Sequence, residues 1–148
     1  MIDRFLLDTC ILVDYYRFGK TQTRKHPERE YCAASALQLI SNLVKRNAEA
    51  FVSVVTVKEL LQYPDISSKE ERRILVDLPE VCRIIPVTWE TTVVAGDLSR
   101  KSAEYRNSHI EDRYIAATAI VHKLPLYTRN PKDFQYVSHS SQSVTEPY

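Results

Sequence analysis

The sequence predicts an α/β fold in which a mostly parallel sheet carries helices on both faces. Three observations point there. Short apolar runs alternate with longer stretches of three- and four-residue apolar spacing, the pattern of strand-helix units. With 148 residues, 44% hydrophobic and 26% charged, the chain is long enough and apolar enough to bury one core. No internal repeat and no linker divides it, so one domain is expected over residues 1–137, followed by a Ser-rich, flexible tail at 138–148.

The elements follow in order. Phe5-Leu6-Leu7 is a brief buried strand ending at Asp8-Thr9, and residues 10–16 read as a short helix. Residues 17–30 are polar and basic, a loop or helix-loop. A helix over 33–46 is expected because Ala33, Ala36, Leu37, Ile40, Leu43 and Val44 share one face. Phe51-Val52-Ser53-Val54 is the second strand, and Thr56 opens a helix to about Leu61. Pro64-Asp65 breaks the chain before a charged helix over 68–78. The third strand covers 82–87, with Ile84 and Ile85. Helices over 88–106 and 110–122 precede a fourth strand, Leu126-Tyr127-Thr128, and the turn Asn130-Pro131. Trp89 is expected at a helix start, packed on the core.

Composition excludes several classes. Lys and Arg number 20 against 19 Asp and Glu, a formal charge of +1, so no whole-protein basic field exists and any nucleic-acid contact must be local. Cys10, Cys32 and Cys82 form an odd set without a CxxC pair, which argues against a disulfide framework and a structural zinc site and fits a reducing cytoplasm. His26, His109, His122 and His139 show no ligand spacing with them. With only 2 glycines, neither GxGxxG nor the P-loop can occur. Asp3 and Arg4 interrupt the start before any signal-peptide core, and no apolar run is long enough to span a bilayer. A soluble, cytoplasmic protein with no membrane partner is expected.

Ligands of open α/β sheets bind beyond the C-terminal strand ends, so the residues standing there carry the chemistry. Asp8 directly follows the first strand; it can serve a site or cap the next helix. Glu59 follows the second strand in Thr56-Val57-Lys58-Glu59, a Thr-x-x-Glu capping box whose acid cannot fully serve both a cap and a metal. Asp112 opens a helix whose small apolar stripe is Ile115, Ala116, Ala119 and Ile120, and it projects onto that stripe. An inward carboxylate needs a metal or an ion-pair partner. Asp133, after the fourth strand, is also ordinary turn chemistry. If these acids converge, their repulsion raises their pKa values or demands a cation. Hard oxygen donors without a His or Cys pair suit Mg²⁺ or Mn²⁺. Cys10 stands close by but has no His partner, which disfavours a thiol nucleophile.

Four stretches in this order resemble the PIN domain, in the size and arrangement of VapC-type toxin ribonucleases of toxin–antitoxin pairs. They are Leu6-Leu7-Asp8-Thr9-Cys10-Ile11-Leu12-Val13-Asp14, Val52-Ser53-Val54-Val55-Thr56-Val57-Lys58-Glu59-Leu60, Asp112-Arg113-Tyr114-Ile115-Ala116-Ala117-Thr118-Ala119 and Leu126-Tyr127-Thr128-Arg129-Asn130-Pro131-Lys132-Asp133-Phe134. The resemblance implies a three-layer α/β/α domain and a metal-dependent endoribonuclease leaving a 5′-phosphate and a 3′-hydroxyl. It also implies a homodimer held inactive by a cognate antitoxin protein. Carried onto this chain, Asp8, Glu59 and Asp112 become the central acids, with Asp133 or Asn130 at the variable fourth position. Asp8 and Asp112 become metal ligands, and Thr9, Thr128 and Asn130 supporting groups. Cys10 departs from the Asn or Ser usual two residues after the first acid, and residues 17–30 are longer and more basic than in the shortest members.

RNA needs local positive charge. Arg17, Lys20, Arg24 and Lys25, beside Tyr15, Tyr16 and Phe18, could supply phosphate contacts and base stacking; the competing reading is a solvated loop with a tyrosine packed in the core. The rival function is a non-catalytic PIN-like module that binds RNA or protein. A phospho-accepting receiver domain is disfavoured because the third strand ends in Pro86-Val87-Thr88 and the last in Thr128-Arg129.

Overall fold

Leu6 and Leu7 are both fully buried, although neighbouring strand residues point to opposite faces, so β1 (Arg4–Leu7) is covered on both sides. The computed structural model describes residues 3–101, 109–134 and 143–148. After β1 come α1 (Thr9–Arg17), α2 (Thr21–Arg24), α3 (Pro27–Lys45), β2 (Glu49–Ser53) and α4 (Val54–Leu61). Next are α5 (Ser68–Arg72), a π-helical turn (Arg73–Asp77), α6 (Leu78–Val81) and β3 (Arg83–Ile85). The chain continues with α7 (Trp89–Arg100), α8 (Ile110–His122), β4 (Leu126–Tyr127) and β5 (Val144–Thr145).

The strands form one sheet in the order β3-β2-β1-β4-β5, with every pair parallel. On one face Leu6 and Leu126 pack against Ala95 and Leu98 of α7 and Ile115, Ala116 and Ala119 of α8. The alanines of α8 have small side chains, which lets that helix approach the sheet closely. On the other face Leu7 and Val52 meet Ile11 and Leu12 of α1, Ala36 and Ile40 of α3, and Leu60 of α4. The result is the expected three-layer α/β/α sandwich. From β1 the chain builds outward to β2 and β3, then returns to the far side of β1 as β4. The strand order therefore reverses between β1 and β4, and the crevice opens beyond their C-terminal ends. Leu7 pairs with Tyr127, and Asp8 N–H donates to the Tyr127 carbonyl at 2.9 Å, so Asp8 and Thr128 leave the sheet side by side.

Several expectations change. α3 begins at Pro27, ahead of the apolar stripe, because Pro sits at the helix start and Glu28 and Glu30 suit the positive helix end. α2 makes part of the basic stretch helical. The helix expected to open at Thr56 starts at Val54, capped by Ser53, whose hydroxyl accepts from Val55 N–H at 3.1 Å. Thr56 and Glu59 therefore form no capping box. Trp89 does not pack on the core: it is 85% exposed. Of the expected helix 88–106, residues 102–106 lie outside the described residues, as do 138–142 of the expected tail. Within the remainder of that tail, Val144 and Thr145 pair with Leu126 and Tyr127 as an edge strand. Among the described residues, no helix is long and apolar enough to cross a membrane.

Candidate active site

Asp8 is buried at 5% exposure, and each of its oxygens is engaged. Oδ1 accepts from Thr9 N–H at 2.8 Å, which caps α1, while Oδ2 accepts from the Thr128 hydroxyl at 2.7 Å and from the Cys10 thiol at 3.4 Å. The capping bond and the bonds from Thr128 and Cys10 thus use different oxygens of Asp8. Burial pushes its carboxyl upward, the three hydrogen bonds pull it back, and the charge of Asp133 pushes it up again.

Glu59 is reached from α1. Thr9 Oγ1 donates to Glu59 Oε1 at 2.6 Å and lies 2.9 Å from Thr56 Oγ1. Glu59 plays no capping role, and its carboxyl is raised by burial, by Glu111 and by Asp8 against the pull of the Thr9 hydrogen bond. Asp112 stands on the first turn of α8, where His109 Nδ1 lies 3.3 Å from Oδ2. His109 itself takes a left-handed conformation, φ 56°. The Asp112 carboxyl is pushed up to about 6, by burial first and then by Asp8 and Glu59, against the opposing pull of His109. A Lys58–Glu111 ion pair at 2.9 Å links α4 to α8 beside it.

Asp8 at the start of α1 feels the charge of Asp133 from the turn after β4, Glu59 of α4 feels Asp8, and Asp112 of α8 feels both Asp8 and Glu59. Among the described residues, no group of three His, Cys, Asp or Glu side chains makes a ready metal cage. The site's donors are carboxylate oxygens, the hard donor type that divalent cations such as Mg²⁺ or Mn²⁺ accept. Cys10 is engaged as a hydrogen-bond donor to Asp8, which disfavours it as a nucleophile. Burial and Asp8 push its thiol up to about 12, so it stays protonated and donates to Asp8.

A family profile for the PIN domain matches residues 5–139 of this chain, spanning all of these elements. The chain belongs to the PIN-domain family. This PIN domain is 25% identical over 134 residues to Ribonuclease VapC1 of Methanocaldococcus jannaschii, covering 89% of this chain and 79% of that protein. A toxin–antitoxin complex from Klebsiella pneumoniae contains a chain 25% identical, with a TM-score of 0.63 and coverage of 97% and 98% of the two chains. VapBC-1 of nontypeable Haemophilus influenzae shares the fold, with a TM-score of 0.68 at 17% identity and coverage of 97% and 98%.

The basic residues divide. Arg17 and Lys20, with Arg73, Tyr16 and Tyr63, line a cleft of about 330 Å³, and Lys20 is paired with Glu70 at 2.8 Å. Arg24 lines a separate, smaller cavity with Phe18 and Thr23, and Lys25 is exposed at the end of α2. Tyr15 and Tyr16 are half-buried against the α1–α3 core, and Arg73 lies 5.0 Å above the Tyr16 ring. Asn130 is exposed, and its backbone N–H donates to Thr128 Oγ1 at 3.0 Å.

Sequence reading of this PIN domain overlooked one constellation. Asp14, buried at 2% exposure, accepts from Arg129 Nε at 2.5 Å and Nη2 at 3.2 Å, and from the Tyr148 hydroxyl at 2.7 Å. A signal was present: Asp14 follows Ile11 by three residues and so shares its inward stripe, the same argument that singled out Asp112.

Proposed function

We propose that this PIN domain is a VapC-type toxin: a Mg²⁺-dependent endoribonuclease that hydrolyses RNA phosphodiester bonds and is restrained by a cognate antitoxin. The observation that carries this reading is the placement of Asp8 at the end of β1, held by Thr128 and close enough to Glu59 of α4 and Asp112 of α8 for its charge to raise both, in a chain whose relative is a ribonuclease. Family membership and that relative support a nuclease; the neighbouring toxin–antitoxin complex supports an antitoxin partner. The chain acts as a homodimer in this reading.

Asp8 and Asp112 would hold Mg²⁺ or Mn²⁺, with Glu59 and Asp133 beside them. Bound there, the cation lowers the pKa of a water and offsets charge developing on the scissile phosphate. The remaining work belongs to the protein. Thr128 and Thr9 fix the Asp8 and Glu59 carboxylates by short hydrogen bonds. Glu59 accepts the proton of the attacking water, since its raised carboxyl is a stronger base than a free one. Asn130, exposed beside them, is available to an RNA oxygen.

Purified protein is expected to cut RNA in Mg²⁺, leaving 5′-phosphate and 3′-hydroxyl ends, and to stop in excess EDTA; equal cutting in EDTA overturns the metal reading. Arg17, Lys20, Arg24 and Lys25 supply the phosphate contacts. Replacing Arg24 and Lys25 by Ala is expected to weaken RNA binding and to reduce the slope of log affinity against log salt by about 1.4, at about 0.7 per lost single-strand phosphate contact. An unchanged slope removes these two residues from the RNA path.

A further inference from the structure

Thr128 ties the far end of the chain to Asp8. Its hydroxyl donates to Asp8 Oδ2, and its own position is held from two directions by residues 143–148. Thr128 N–H donates to the Thr145 carbonyl at 3.0 Å, as β5 extends the β4 ladder. One residue on, the Arg129 guanidinium grips both oxygens of Asp14, whose Oδ2 also accepts from the Tyr148 hydroxyl. The Arg129 backbone N–H then donates to Cys10 Sγ at 3.4 Å, and Cys10 in turn donates to Asp8. Turn 128–130 is therefore tied to α1 at Asp8, Cys10 and Asp14.

We propose that Asp14 and Tyr148 are positioning residues: they clamp Arg129, and through it hold the Thr128 turn that orients the Asp8 carboxylate. This rests on the nuclease reading above. A buried ion pair contributes little stability over apolar side chains of the same shape, and what it supplies is a fixed geometry. A bidentate guanidinium–carboxylate pair is the most directional such contact, and a third donor leaves Asp14 one orientation. The clamp acts through the Thr128 turn and not through RNA. Its effect is confined to how well Asp8 is aimed.

The test uses the full chain, with Tyr148→Phe as the main variant, because the ring that packs against the α1–α3 core is kept and only the hydroxyl is lost. Cleavage of a fluorogenic RNA gives kcat and KM, and titration with Mn²⁺ alone, read by electron paramagnetic resonance, gives metal affinity. Tyr148→Phe is expected to lower kcat and Mn²⁺ affinity each by about three- to tenfold, the factor one hydrogen bond supplies, with KM for RNA unchanged. Asp14→Asn should go further in the same direction. A purely structural role would lower Tm yet leave folded molecules with wild-type kcat and Mn²⁺ affinity, and that result overturns the clamp. Asp8→Asn is measured in parallel. If Asp8→Asn cleaves at the wild-type rate, the nuclease reading falls, and the clamp is then judged on the Mn²⁺ titration alone.

Discussion

Asp8→Asn is expected to reduce RNA cleavage by on the order of 10³-fold while raising the thermal stability of the metal-free protein. The activity loss follows from the position of Asp8. It stands at the strand-order reversal, its two oxygens are fixed by Thr9, Thr128 and Cys10, and its charge raises both Glu59 and Asp112. An amide keeps the shape and can still cap α1 through its oxygen, but brings no negative charge to a cation. The stability gain has the opposite origin. Burial raises the Asp8 carboxyl above its ordinary value, so at neutral pH its ionised form opposes folding. Removing the charge relieves that cost and the repulsion on its neighbours. Thermal unfolding in EDTA, together with cleavage in Mg²⁺, checks both halves. A variant that is less stable than wild type and still cuts RNA contradicts the site on both counts.

How far the sequence reveals this molecule depends on the range of the interaction concerned. The parallel sheet and its helices were legible because burial writes itself as local spacing: β1 and α8 are where Phe5-Leu6-Leu7 and the Ile115-Ala116-Ala119 stripe place them. Asp112 was legible for the same reason. β5 was not, because two residues in a Ser-rich segment carry no apolar pattern of their own and become a strand only by pairing along the edge of β4. The capping box failed through competition: Ser53 took the N-cap, and Thr9, 47 residues from Thr56, engaged both Thr56 and Glu59 instead. Local pattern cannot rank a short-range partner against a distant one. The Asp14–Arg129–Tyr148 cluster is the extreme case, with Tyr148 lying 134 positions after Asp14. Asp8 escaped this difficulty because its place at the end of β1 follows from the strand itself.

The second large effect is on stability against pH. The Asp112 carboxyl is raised from an ordinary 3.8 to about 6, by burial, Asp8 and Glu59. The folded state then holds this proton more tightly than the unfolded chain does, so between about pH 4 and about pH 6 stability falls as pH rises. Below that window the group opposes folding not at all; above it the opposition is complete, at roughly 1–3 kcal/mol for a mostly buried group that shares its site with other acids. Glu59 and Asp8, both raised, act in the same sense. Metal-free wild type should therefore be more stable at pH 5 than at pH 7, and Asp112→Asn should flatten that difference as well as raise stability at pH 7. Mg²⁺ inverts the comparison, because a cation bound only by the folded state stabilises it most where the carboxylates are ionised. Urea midpoints at pH 5 and 7, with and without Mg²⁺, read all of this directly. Parallel pH profiles for wild type and Asp112→Asn, or Mg²⁺ stabilisation that is no weaker at pH 5 than at pH 7, would show that these acids do not share a cation.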